Sequence, residues 1–224
     1  MKTGTGKIEE LFLDGSARIS CPPELIPAPG QYLLAHAAGS DAPLPIPLFS
    51  SLSSSQNGFR FAPLTPSSWQ PGQLLHLRGP IGHGFSLPFS ARKIALVGLE
   101  DTPARLLGLL SQALKQSAEV VLVSNSSVED LPEVVEIQPV KGLLDVLRWA
   151  DYVAMDVNRE KLNQLKEMLA GKDQITAKVE AQVLIHAPMP CGALADCGVC
   201  ALSIDHDWKM ICKDGPVFEL KEIL

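Results

Sequence analysis

Between residues 89 and 186 the chain alternates short apolar runs with stretches of helical spacing, and this alternation restricts the fold more than any other feature. Lys93–Gly98, Glu119–Val123, Val134–Ile137, Tyr152–Met155 and Gln182–His186 read as buried strands. Leu106, Leu107, Leu110 and Leu114 give Pro103–Lys115 the spacing of a helix, and Lys141–Trp149 and Arg159–Leu169 complete the helical set. Strand and helix in regular turn predict a parallel sheet with crossover helices. The helix Arg159–Leu169 carries charges of both signs and reads as a solvated outer face.

The first 88 residues have another texture, rich in Pro, Gly and Ser. Their apolar segments, among them Lys7–Leu13, Gln31–His36 and Leu74–Leu77, are short and separated by turn residues, which predicts a small β-barrel or sandwich. Asp41–Gly58, with three prolines and five serines, is expected to be a long loop around a short strand.

The last 34 residues hold four of the five cysteines, Cys191, Cys197, Cys200 and Cys212, spaced C-x5-C-x2-C-x11-C. An odd total clustered at one end argues against a disulfide framework and for a metal. Iron–sulfur clusters are held by thiolates, and the plant-type [2Fe-2S] pattern, C-x4-C-x2-C with a distant fourth cysteine, differs by one residue in its first gap. Structural zinc also takes four cysteines, commonly as two C-x2-C pairs, of which this chain has one. Gly192 and Gly198, each directly after a cysteine, let the backbone turn tightly and present NH groups to sulfur. Cys21, beside Pro22 and Pro23, reads as an ordinary small residue.

A net charge of -6 and a pI near 5.4 argue against nucleic-acid or anionic-membrane binding, leaving small molecules and other proteins as partners. No apolar run approaches the roughly 20 residues of a membrane span, and the N-terminus lacks the apolar stretch of a signal peptide. The chain is therefore expected to be cytoplasmic.

The tail PCGALADCGVC followed by KMICKDGPVFEL resembles the C-terminal cluster domain of the electron-transfer subunit of type B dihydroorotate dehydrogenase. The run Leu77–Pro88, LRGPIGHGFSLP, is similar to that family's Gly-Pro-Leu-Gly-x-Gly-Phe element between flavin and nucleotide domains. The resemblance implies an α+β multidomain chain: a β-barrel of the FAD-binding kind over 1–88, an α/β parallel-sheet domain of the nucleotide-binding kind over 89–186, and a [2Fe-2S] domain over 187–224. It carries the cluster ligands to Cys191, Cys197, Cys200 and Cys212, and flavin contacts to Phe49, Ser50, Gly79, Pro80, Gly82 and Gly84.

Two sites depart from the family pattern. Where the family has Arg-x-x-Ser for the FAD pyrophosphate, this chain has Pro47-Leu48-Phe49-Ser50, so FAD is expected only on a weakened site. Where the family has a glycine-rich turn, this chain reads Gly98-Leu99-Glu100-Asp101-Thr102-Pro103. Two carboxylates at the helix dipole's positive end, Thr102 as N-cap and Pro103 at the first helical position predict a self-sufficient helix start and a lost nicotinamide site. His83 is expected in a solvated turn, and His206 and Trp208 in a hairpin beside the cluster.

The function so implied is electron relay through a [2Fe-2S] cluster, to or from a partner flavoprotein such as an FMN-dependent dihydroorotate dehydrogenase of pyrimidine biosynthesis, in a hetero-oligomer. The chain would be an oxidoreductase component without acid–base catalytic residues of its own. The rival is a scaffold subunit whose cysteines hold structural zinc.

Overall fold

The computed structural model describes every residue except 101, 129–130, 172–177 and 205–206, together with the side chains of 53 and 54. Asp101 and His206, both singled out above, lie outside the described residues.

Six N-terminal strands are hydrogen-bonded in a closed ring: β1 (Lys2–Leu11), β2 (Ala17–Ser20), β5 (Gly58–Phe61), β4 (Ile46–Ser55), β3 (Tyr32–Ala37), β6 (Leu74–Ile81), and back to β1. Residues alternate in and out along β6, as a strand with one wet face must. Ile8, Ile19, Phe59, Phe61 and Leu75 fill the interior, where Trp69 meets Phe61 edge to face. Cys21 is buried with them. The loop expected over Asp41–Gly58 is instead mostly strand, because β4 pairs with β3 and β5 and buries Ser50 and Ser51. Its serines concealed the strand; a ladder satisfies the backbone whatever the side chains are.

The second sheet has the order β14-β11-β10-β7-β8-β9. Its parallel members are β7 (Lys93–Gly98), β8 (Glu119–Val123), β9 (Val135–Gln138), β10 (Tyr152–Asn158) and β11 (Glu180–His186). β7 and β10 are apolar nearly throughout because helices cover both faces of such a sheet. Helices α1 (Leu110–Lys115), α2 (Leu143–Trp149) and α3 (Leu162–Leu169) are each preceded by one 3-10 turn. β14 (Val217–Glu219) comes from the cysteine-bearing tail and joins the sheet antiparallel to β11. The tail has no core of its own: Cys200, Leu202, Ile204, Ile211 and Cys212 belong to the cluster of buried residues that contains Tyr32 and Phe49 of the barrel and Met155 of the sheet.

The helix expected from Pro103 becomes regular only at Leu107, as a 3-10 turn over Leu107–Leu109 followed by α1. Leu106, Leu107, Leu109 and Leu110 are all buried, so the segment has no wet face to define an amphipathic helix, and Gly108 weakens helix formation in its middle.

Candidate functional site

The tail brings its four distant cysteines together. Cys191 and Cys197 sit with sulfurs 3.4 Å apart, while the backbone NH of Cys212 donates to Cys200 Sγ at 3.4 Å. Cys200 and Cys212 are buried, Cys191 is half-buried and Cys197 is exposed. Among the described residues, no three His, Cys, Asp or Glu side chains surround a single point as one ion requires. The four thiols touch in a row, Cys197 on Cys191, Cys191 on Cys212 and Cys212 on Cys200.

Two glycines make this packing feasible. Gly192 has φ of 49°, and a Cβ there would lie 2.1 Å from Leu34 Cδ1 and 2.4 Å from an Arg78 nitrogen. Gly198 has φ of 74° before the turn that returns Ala201 NH to Gly198 O at 3.0 Å. After Cys200, the expected hairpin, β12 (Ala201–Ile204) and β13 (Asp207–Met210), carries Trp208, which is exposed, and leads directly to Cys212.

The barrel grips both ends of the cysteine set, a contact that sequence reasoning missed. Arg78 on β6 donates to Cys191 O at 2.8 Å, and the Tyr32 hydroxyl on β3 donates to Cys212 O at 3.2 Å. Arg159, expected in solvent, donates to Val199 O at 2.5 Å and ties α3's leading turn to the same loop. The donor set suits a cationic centre. Burial pushes the Cys212 thiol up to about 12, whereas at Cys191 burial is outweighed by Ala195, the Cys197 thiol and Ala193, which hold it down at about 7. A bound metal would make all of them thiolates.

The expected flavin residues are placed differently. Phe49 and Ser50 are only 6% and 4% exposed: Phe49 packs on Tyr32 at a centroid distance of 5.6 Å, and Gly108 lies over Ser50. A Cβ on Gly79 would meet Leu33 and Tyr32 O, and one on Gly84 would meet Pro29 O. Gly82 faces Gly215 and Pro216, and the neighbouring His83 NH donates to Gly215 O at 2.6 Å. These glycines thus permit chain-to-chain crossings. Gly82, His83 and Gly84 do line a cavity of about 520 Å³, with His83 exposed as expected, opposite Asp214, Glu219 and Glu222. Three carboxylates facing it suit no pyrophosphate. Phe49, Ser50, Gly79, Gly82 and Gly84 are thus engaged by protein contacts in this structure.

At the carboxyl ends of β7, β10 and β11 lies a charged group that the sequence did not announce. Asp156 is fully buried and accepts from Arg105 Nε at 2.9 Å. A guanidinium has only donors, so His186 Nε2, 2.9 Å from Arg105, is the acceptor and the imidazole is neutral. Glu100 does not serve the dipole of its own following helix as expected; it accepts from Asn158 NH at 2.8 Å and pairs with Lys161 at 3.0 Å. Thr102 caps Ala104 NH at 3.2 Å. The available signals were a lone arginine among leucines and an aspartate inside an apolar strand.

This group predicts acid sensitivity. Burial, reinforced by Arg105 and Lys161, depresses the His186 pKa from 6.5 to about 3. Below 6.5 the unfolded chain binds a proton that the folded chain refuses, so stability falls with pH by at most about 1.4 kcal/mol per unit down to about 3. Burial pushes Asp156 up, against Arg105's pull, which works in the opposite direction. The histidine share is therefore the difference in slope between the wild type and His186→Asn in denaturant titrations from pH 7 to 4, and the variant is expected to have the flatter profile.

Residues 187–224 match the family model described as the iron-sulfur cluster binding domain of dihydroorotate dehydrogenase B. The chain is 25% identical over 179 residues to the electron transfer subunit of dihydroorotate dehydrogenase B (NAD(+)) from Caldanaerobacter subterraneus subsp. tengcongensis, covering 70% of this chain and 69% of that protein. Among solved structures it resembles an NADH-dependent reduced ferredoxin-NADP oxidoreductase studied for flavin-based electron bifurcation, with TM-score 0.72 and 17% identity over 97% of this chain and 88% of that one. It also resembles the ferredoxin reductase of carbazole 1,9a-dioxygenase, with TM-score 0.65 and 15% identity over 81% and 68% of the two chains. The fold is ferredoxin-reductase-like, ending in an iron–sulfur binding domain. The resemblance of the tail to the cluster domain of an electron-transfer subunit agrees with these similarities.

Proposed function

We propose that this chain is an electron-transfer subunit with a [2Fe-2S] cluster held by Cys191, Cys197, Cys200 and Cys212, serving a separate catalytic flavoprotein of the FMN-dependent dihydroorotate dehydrogenase kind. The observation that carries it is the contact of all four thiols inside a segment similar to a cluster-binding domain. The spacing C-x5-C-x2-C-x11-C has one short pair where structural zinc commonly takes two, and lies one residue from the plant-type cluster pattern. When bound, the cluster supplies reversible one-electron chemistry. The chain's own residues orient the ligands through Arg78 and Tyr32, bury Cys200 and Cys212 from water, and leave Cys197 at the surface.

We divide the chain at 1–88, 89–186 and 187–224, and take the nicotinamide site to be lost, in keeping with the Glu100–Lys161 and Arg105–Asp156 pairs. Among the described residues no helix is long and apolar enough to cross a membrane, and a reducing cytoplasm is the compartment in which free thiols await a metal. Exposed Leu194, Val199 and Trp208 lie in the cysteine segment and offer a partner apolar contact there.

Iron and acid-labile sulfide analysis with EPR of the reduced, anaerobically purified protein tests the reading. The expected result is iron and sulfide in equal amounts with a rhombic S = 1/2 signal; stoichiometric zinc without iron would establish the scaffold instead. The Arg78 contact yields a finer prediction. A cation beside the first ligand favours the more negative, reduced state, so Arg78→Gln should lower the midpoint potential while Arg78→Lys should largely keep it. Potentiometric titration followed by EPR reads both.

A further inference from the structure

In a doubly wound sheet, nucleotides bind beyond the strands' carboxyl ends where the strand order reverses. That point here lies between β7 and β10, since the chain runs from β7 outward to β8 and β9 and then returns to β10 and β11. The crevice is filled from within. Arg105 crosses it to bond Asp156 and His186, and Glu100 closes its edge onto Asn158 and Lys161. Asp156, with no surface exposed, already neutralises the guanidinium that a phosphate would need.

The same stretch of chain closes the barrel's flavin-facing wall. A Cβ on Gly108 would stand 3.3 Å from Ser50 Oγ and 3.5 Å from both Ser51 O and Pro29 Cγ, so the 3-10 turn rests on β4 with no gap for an aromatic ring. Phe49 and Ser50 are covered by protein itself, and among the described residues Ser50 Oγ is buried with no hydrogen-bond partner. Leu106, Leu107 and Leu109, all buried, anchor the turn in the core.

We propose that Glu100 and the stretch Thr102–Leu110 form an internal plug standing in for both nucleotide cofactors of this fold, so that the chain exchanges electrons singly and its partner must perform all two-electron chemistry. The inference rests on the cluster reading above. A two-electron flavin centre in the partner would surrender its electrons in two successive single transfers, keeping the accompanying protons. Each electron would leave this chain to a one-electron acceptor of the ferredoxin class before the next arrives.

Anaerobically purified, full-length protein is analysed for iron, sulfide and flavin released on denaturation, and then titrated with FAD and with NADH up to about 100 μM while flavin fluorescence and Tm are followed. The expected result is cluster iron and sulfide, no released flavin, and no saturable response to either nucleotide. Co-purified flavin, or saturable binding of FAD or NADH at micromolar concentration, would overturn the plug. Absence of iron would overturn the cluster reading instead, and the nucleotide titrations decide the plug in either case.

Discussion

Cys200→Ser is expected to abolish cluster binding, with iron and sulfide falling by tenfold or more, whereas Cys21→Ser should leave both unchanged. Cys200 is 1% exposed and ends the loop that begins at Cys191. A serine oxygen is a harder and poorer ligand for iron than a thiolate, and water cannot easily take its place at a buried position. The consequence extends past one bond. Residues 187–200 contain neither helix nor strand, and the hairpin that follows has only two strands, so the tail relies on its ligands and on the shared core for order. Metal-binding energy is folding energy in such a segment. Protease sensitivity confined to residues 187–212 should accompany the metal loss. Cys21 sits in the barrel interior instead, where burial pushes its thiol up to about 11 and keeps it inert. Equal behaviour of the two variants would refute the ligand assignment.

Arg105→Ala should destabilise the fold by about 3–5 kcal/mol, the range for stripping one partner from a buried ion pair. The variant leaves the Asp156 carboxylate, with no exposed surface, without its guanidinium, and removes the donor to His186. For a chain of this length the shift in Tm is roughly 10 °C downward. Arg105→Met combined with Asp156→Leu should recover most of that loss, because the penalty arises from an orphaned charge and the pair's net attraction is small. Thermal and urea unfolding of the cluster-loaded protein measure both. If the double variant is no better than the single one, the pair contributes through geometry that apolar side chains cannot reproduce.

The parallel strands were legible because a strand covered on both faces must be apolar throughout, and Ile94–Gly98 and Tyr152–Met155 are. β4 was not, because Ser50 and Ser51 spend their buried positions on polar side chains, which composition reads as loop. The helix entrance was misread for a related reason. Glu100 next to a helix suggests the dipole, but its bonds go to Asn158 and Lys161, roughly sixty residues away. The grouping of the four cysteines was legible because they lie close along the chain and their spacing is itself a signature.

The sequence by itself therefore determined the local and periodic features: the apolar runs of the parallel sheet, the spacing of its helices, and the clustering of four thiols in the tail. Only the tertiary structure decided what those features face. It set Tyr32 and Arg78 against the cysteine loop, joined Val217–Glu219 to the parallel sheet, and turned Gly108 onto Ser50. The physical reason is the range of the interactions. Backbone conformation and hydrophobic period act over a few residues, whereas Arg105 meets Asp156 and His186 across 51 and 81 positions, and a contact of that separation leaves no period in the sequence.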